Sequence, residues 1–422
     1  MSEQNAKQTA QAAEPKKRIL VVCQHFWPEN FRINDICDYL VERDVEVDVL
    51  CGIPNYPKGQ FFEGYSYSKN RRQVHNGVNI RRAFEIPRGN NSNFRIFVNY
   101  LSYPLSSLFH VPRLFFSKRK YDKIFIYQLS PVMMSIAGIT LGKLKKIETT
   151  IYVMDLWPEN LFSVLDMRPS FKNLARRVSH WHYKKIDKIA AMSEKMKTRL
   201  QEATGISDDR IIVLPQTCEK LYETDVHDER LAKRFKGGFN IMFAGNISPA
   251  QSFDTVVEAA KNLHAEGLTD VRWIIVGDGM SRKKLEEDVA AAGLSDNFFF
   301  EGMKPMEDIP RYNGVADLLL GCLVKSDLLE ATIPAKVMSY IASGKPMVLA
   351  MDGEVQDLIN KTIKCGYVGP AGDARALTDN IRKIYKMPAK ERKKMGGRGR
   401  SYHFKHLERS INLNKLYNFI FK

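Results

Sequence analysis

Short runs of near-continuous apolar residues alternate along this chain with longer amphipathic stretches. In the first half the runs fall at 18–23, 46–50, 123–127, 149–154, 187–192 and 210–214. In the second they fall at 239–244, 271–276, 297–300, 316–320 and 346–350. Most are rich in Val and Ile and lack the polar alternation of a half-exposed strand, which is the pattern of strands covered by helices on both faces of a parallel sheet. The stretches between them, such as SFDTVVEAAKNLHAE at 252–266, supply the helical crossovers. The fold class that follows is α/β, with doubly wound sheets. A length of 422 residues exceeds what one such core holds, so two domains in tandem are expected.

Composition sets the boundaries. Residues 1–17 begin MSEQNAKQTAQAAEP, polar throughout, and are expected to form a disordered tail rather than a signal peptide. An N-terminal domain is expected over 18–215, a linker without strand pattern over 216–237, and a C-terminal domain over 238–395. A helical, aromatic segment over 396–422 is expected to pack back on the N-terminal domain. Cys23, Cys37, Cys51, Cys218, Cys322 and Cys365 are scattered, with no C-x-x-C pair and no histidine at metal spacing. They read as reduced thiols, most of them small core hydrophobes, and no metal site is expected.

The net charge of +16 is concentrated. Residues 51–200 carry 26 basic against 9 acidic side chains, and no acidic residue lies between Glu85 and Asp122. A basic face of this kind can meet a nucleic acid, an anionic membrane or an acidic ligand. The basic stretch contains no recognisable nucleic-acid reader, so nucleic acid is not expected as a partner. Within it, NFRIFVNYLSYPLSSLFHVPRLFFSKRK (93–120) interleaves Phe, Tyr and Leu with Arg95, Arg113, Lys118, Arg119 and Lys120. Pro104, Pro112 and several polar residues argue against a spanning helix. The stretch reads either as a surface lying on a membrane or as a buried crossover helix with a solvated basic end.

Two features mark a site. Trp-Pro-Glu-Asn occurs twice, at 27–30 and 157–160, each time just after an apolar run. Ligands of doubly wound sheets bind beyond the carboxyl ends of strands. Glu29, Asn30, Asp155 and Glu159 are therefore candidate cleft residues, with helix capping and chain turning as the alternative. Asp155 and Glu159 are the candidate catalytic carboxylates, suited to accepting from hydroxyl groups and to general-base work. In the second half, three strands end in glycine: FNIMFAGNISPAQSF, VRWIIVGDGMSRKKLEE and NFFFEGMKP. Such turns let backbone amides approach an anion. They are followed by IPAKVMSYIASGKPMVLA, where a helix is expected to begin at Pro334 and end at Gly344. Lys336 then lies in the first helical turn, where a cation opposes the helix dipole unless an anion stands beside it. No P-loop, H-E-x-x-H, G-x-S-x-G or first-turn G-x-G-x-x-G is present.

These stretches, together with HFWPENFRIND, GIPNYPKGQFFEGY (52–65), MDLWPENLFSVLDM (154–167), KIDKIAAMSEKMKTRL (185–200), EGMKPMEDIPRYNGVADLLL and DGEVQDLI, resemble the family 4 retaining glycosyltransferases of GT-B type. The likeness runs from Arg18 to about Ile384. It is nearest to the bacterial transferases of O-antigen and capsule synthesis, the amino-deoxysugar transferases among them. The resemblance implies two facing Rossmann-like domains with a cleft between them, and transfer with retention and without a metal. The donor would be a nucleotide-sugar, UDP-linked, carrying for instance an N-acetylated amino-deoxysugar. The acceptor would be a polyprenyl-diphosphate-linked saccharide at the inner membrane face. It places Gly245, Asn246 and Gln251 at the diphosphate and Gly277, Asp278 and Gly279 along the donor pocket. Lys304 falls near the base, Lys336 at the phosphates, Ser339 at the ribose and Glu354 near the sugar. Where relatives carry a Glu-x7-Glu pair this chain has Ala331 and Ser339, and where many carry His it has Met154. A nucleotide-sugar epimerase of similar fold and a non-catalytic binding subunit are the alternatives.

Overall fold

The computed structural model describes residues 16–90, 92–164, 168–326, 330 and 332–422. Most of the expected tail, and Ala331, lie outside the described residues. The chain divides into two compact units, one of residues up to Ala190 together with Tyr417–Lys422, the other Ala191–Leu416.

In the first unit, strands β1 (Arg18–Val22), β2 (Glu46–Cys51), β3 (Arg72–His75), β4 (Val78–Arg82), β5 (Lys123–Gln128), β6 (Thr149–Val153) and β7 (Lys188–Ala191) lie side by side. Their order is β3-β4-β2-β1-β5-β6-β7. β4, β2, β1, β5 and β6 run parallel, and β3 is antiparallel to β4. The β3–β4 hairpin was not expected, because its strands are charged and only alternately buried, as an edge allows. The signal for it is Asn76-Gly77, whose φ angles of 47° and 79° suit the tight hairpin turn that Asn-Gly favours.

The second unit opens with helix Glu194–Thr204 and β8 (Ile211–Val213), a strand that lies beside β7 as the eighth of the first sheet. Its sheet holds β9 (Phe239–Ala244), β10 (Val271–Val276), β11 (Phe298–Gly302), β12 (Leu318–Cys322), β13 (Met347–Ala350) and β14 (Gly366–Gly369), in the order β11-β10-β9-β12-β13-β14. Every recorded pairing is parallel. Alternate residues of one strand feed different cores, which is why these runs are continuously apolar. Ile241 and Phe243 pack with Val256, Trp273 and Ile275 on one face. Met242 packs with Ile274, Val337 and Ile341 on the other.

The compact units divide after Ala190, while the first sheet continues through β8 to Val213. Backbone amides of Glu194 and Lys195 donate to the Glu354 carboxylate at 3.2 and 2.9 Å, which fixes helix Glu194–Thr204 within the second unit. The 216–237 stretch is structured as well, and Cys218, Leu231 and Phe235 are buried in the second unit's core. At the C-terminus, helix Ala389–Tyr402 belongs to the second unit. Tyr417–Lys422 belongs to the first, where Lys188 donates to the Phe419 carbonyl at 3.1 Å. Among the described residues no helix is long and apolar enough to cross a membrane.

Candidate functional site

In the second unit the parallel sheet brings the carboxyl ends of β9, β10, β12 and β13 to one edge. Gly245 and Gly277 sit beyond β9 and β10 with φ of 149° and 141°, conformations that side chains disfavour. A Cβ on Gly277 would run into the Gly245 carbonyl, so the two turns touch through bare backbone. The Gly245 amide donates to the Val276 carbonyl (3.0 Å) and the Ile247 amide to the Asp278 carbonyl (2.9 Å), which locks the turns together. Asn246 lies against Gly279, where a Cβ would meet its side-chain oxygen.

Helix Ala335–Ser343 brings a cation to this edge. Gly344 ends it with φ of 71°, as expected. The Tyr340 hydroxyl donates to the Leu320 carbonyl at 2.9 Å and fixes the helix against β12. Lys336 points its Nζ at Gly245, over the Phe243 ring at 3.9 Å, and donates to Gln251 Oε1 at 2.6 Å. Cys322, whose thiol burial pushes up to about 12, stays protonated and donates to the Gln251 carbonyl at 2.5 Å. No described carboxylate forms an ion pair with Lys336. Desolvation lowers its ammonium from 10.5 to about 8. An anion at the glycine turns would supply the missing counter-charge. The structure thus brings together Gly245, Gln251, Gly277 and Lys336, with Asn246 and Gly279 alongside.

The remaining candidates in this unit stand differently. Asp278 Oδ1 accepts from the Gly279 amide at 2.7 Å, so that oxygen is turned into its own loop. Ser339, 8 % exposed, donates to the Lys336 carbonyl at 2.8 Å and keeps an oxygen lone pair available. Lys304 is partly buried beyond β11. Glu354 caps helix Glu194–Thr204 through the two amides already described. Beside it Glu330 pairs with Lys195 at 2.5 Å.

In the first unit the two Trp-Pro-Glu-Asn copies differ in role. Both Trp–Pro peptides are cis. Glu29 is buried, and its Oε1 accepts from the amides of Asn55 and Tyr56 at 2.8 and 2.7 Å. Its Oε2 lies 2.9 Å from His25 Nδ1. Glu29 therefore ties the turn after β1 to the loop after β2, while Asn30 beside it is exposed. In the second copy, Asp155 is partly buried and accepts from the Ser130 hydroxyl at 3.2 Å. Glu159 opens helix Glu159–Val164. These two carboxylates follow β6.

A residue that the sequence did not single out is Glu85, just beyond β4. It is fully buried. Its Oε1 accepts from Gln24 Nε2 and Asn99 Nδ2, both at 2.8 Å, and its Oε2 has no hydrogen-bond partner among the described residues. Gly52 makes the space, since a Cβ there would collide with that oxygen. Burial raises the Glu85 carboxyl above its ordinary value. Its signal was weak because β4 itself was missed, and a lone Glu does not announce its burial.

Comparison with known proteins accords with this geometry. Residues 30–217 match the family described as glycosyl transferase 4-like domain, and residues 228–402 match glycosyl transferases group 1. The chain is 28 % identical over 222 residues to a 2-deoxystreptamine glucosyltransferase of Streptomyces kanamyceticus, covering 51 % of this chain and 56 % of that one. The match thus spans little more than half of that relative's length. Over 351 residues it is 23 % identical to the putative colanic acid biosynthesis glycosyl transferase WcaI of Escherichia coli, covering 79 % of this chain and 83 % of the relative. Among solved structures, Anabaena Alr3699/HepE, crystallised with UDP and glucose, superimposes with a TM-score of 0.67 at 15 % identity, covering 95 % of this chain and 98 % of that one.

Proposed function

The chain is a GT4-type glycosyltransferase with the GT-B fold, and on that premise we propose that it moves a sugar from a nucleoside-diphosphate donor to a lipid-linked saccharide in cell-surface polysaccharide synthesis. The observation that carries the donor half is Lys336, a desolvated cation with no carboxylate partner among the described residues, held beside two glycine turns where no side chain stands in the way. A diphosphate placed there gains charge-assisted bonds that no side chain of the protein provides. During transfer the bond from sugar C1 to the diphosphate oxygen breaks, a bond from C1 to an acceptor hydroxyl oxygen forms, and the hydroxyl's proton passes to Asp155 or Glu159. Negative charge grows on the departing diphosphate, and Lys336 stabilises it. Asp155 and Glu159 are assigned to the hydroxyl groups of the acceptor or of the transferred sugar. UDP as the nucleotide, an N-acetylated amino-deoxysugar as cargo, retention of configuration and independence from metals belong to the same proposal. So do a polyprenyl-diphosphate acceptor and residence at the inner face of the cell membrane.

The test is a thermal-shift screen of UDP-, GDP-, dTDP- and CDP-sugars, followed by transfer to a polyprenyl-diphosphate saccharide and determination of the product anomer by NMR. Stabilisation by one UDP-sugar and a product with the donor's anomeric configuration are expected. A protein that no nucleotide sugar stabilises, or an inverted product, overturns the assignment.

A further inference from the structure

Away from the carboxyl ends where the site candidates sit, the first unit holds a second cavity, of about 880 Å³. Its floor is the middle of the sheet, Leu20, Asp48 and Leu50, and its walls are the β3–β4 hairpin and the segment 113–121. Five cations line it: Arg72, Arg81, Arg113, Lys118 and Arg119. It contains one carboxylate, Asp48, which is saturated by Arg119 (2.7 and 2.9 Å), the Tyr121 hydroxyl (2.7 Å) and Asn79 (2.9 Å). The side chains of Arg72, Arg81, Arg113 and Lys118 make no hydrogen bond or ion pair with any described residue. Burial foremost, and after it the charges of Arg81, Arg71, Arg113 and Arg72, hold His110 down to about 4. Like charges are gathered in a concave site only at a cost, and an anion in the cavity removes it.

The elements beside the cavity show an inverted burial pattern. Helix Asn93–Leu108 buries Asn99, Tyr103 and Ser107 completely and turns Phe94 (73 % exposed), Phe97 and Leu105 outward. Phe109 and Phe116, the latter lining the cavity, are 85 % and 81 % exposed. An exposed phenylalanine on the wall of a cation-lined cavity, with further exposed apolar side chains earlier in the same segment, fits one molecule with both characters, an anionic lipid.

We propose that this cavity is a binding site for the phosphate headgroup of an anionic membrane lipid, with the lipid's chains lying against Phe109, Phe116 and the outward face of helix Asn93–Leu108. The inference rests on the membrane residence proposed above and adds a defined, saturable site to it. Binding then depends on which cations are removed, not only on how many.

The experiment uses the full chain. Calorimetry with dihexanoyl phosphatidic acid and with inorganic phosphate is run beside flotation on phosphatidylcholine vesicles with and without phosphatidylglycerol. The parent is compared with the cavity variant Arg72→Gln/Arg81→Gln, with Arg113→Gln, and with Arg176→Gln/Arg177→Gln. The last pair removes the same charge from helix Pro169–Lys184, outside the cavity, and circular dichroism checks the fold of each. Each cation at an anionic lipid surface is worth about fivefold. The cavity double variant is expected to bind the short-chain lipid roughly 20-fold more weakly and the control within about twofold of the parent. Equal losses in cavity and control variants overturn the defined site while leaving membrane residence standing. A parent that does not float on anionic vesicles overturns membrane residence and the site together. Inorganic phosphate binding as tightly as the lipid overturns the lipid as occupant.

Discussion

Replacing Lys336 by Met removes the charge while keeping the stem that crosses Phe243, so it separates a role in anion binding from a role in packing. The ammonium drops from 10.5 to about 8 through desolvation. At 1.36 kcal/mol per pH unit this is about 3 kcal/mol of unfavourable charge burial, reduced to about 2 because the side chain is only partly buried. The sign follows from proton counting. Between pH 8 and 10.5 the unfolded chain holds a proton that the folded chain has lost, so this residue's contribution to stability rises with pH across that window. Below pH 8 the cost is present in full. At pH 7 Lys336→Met should thus fold with stability equal to or greater than the parent, offset by about 1 kcal/mol for Gln251 Oε1 losing its donor. A nucleoside diphosphate does the reverse, since it favours the charged form and raises the lysine's proton affinity. Affinity should be highest below pH 8 and fall by up to about tenfold per pH unit above it, with proton uptake on binding. The variant should bind UDP about 10- to 100-fold more weakly, equivalent to about 1.4–2.8 kcal/mol. Titration calorimetry in two buffers of different ionisation heat, from pH 7 to 9.5, reads affinity and proton uptake together. Equal affinity of parent and variant, or a flat pH profile, would refute the phosphate assignment, and the glycine turns alone would then hold the donor.

Three further outcomes follow from the geometry. Gly277→Ala forces a methyl into the Gly245 carbonyl at a φ of 141°, so it should lose about 3 kcal/mol in denaturant unfolding and all donor binding. Glu85 titrates above its ordinary value, so stability should rise as pH falls through that folded value and level off below the unfolded one. Glu85→Gln should flatten that slope and stay within about 1 kcal/mol of the parent at pH 7, as followed by urea midpoints from pH 4 to 8. Asp155→Asn should keep the Ser130 contact and donor binding but lower the transfer rate by about 100-fold, the low end for a lost acid–base group. An unimpaired rate in a transfer assay rules out a catalytic Asp155.

What the sequence determined by itself is local or periodic. Continuous apolar runs require strands covered on both faces, and 239–244 and 271–276 are strands over just those residues. Glycine beyond a strand and proline before a helix act through φ and the missing amide hydrogen, which are properties of the residue. The turns at Gly245 and Gly277 and the helix that carries Lys336 were therefore legible in the letters. Partnerships at long range were not. Glu29 and Glu354 looked alike as carboxylates after strands, yet in the fold each accepts from two backbone amides, on the 53–57 loop and on helix Glu194–Thr204 respectively. Glu85 looked like an ordinary surface acid until the sheet placed it beside Gly52. Four cations of the proposed lipid site come from a hairpin at 72–82 and from the separate segment 113–118. Their charges add only because parallel pairing folds those segments over one face of the sheet. Burial, pairing and field strength depend on distances between residues far apart in the chain, and only the tertiary structure sets those distances.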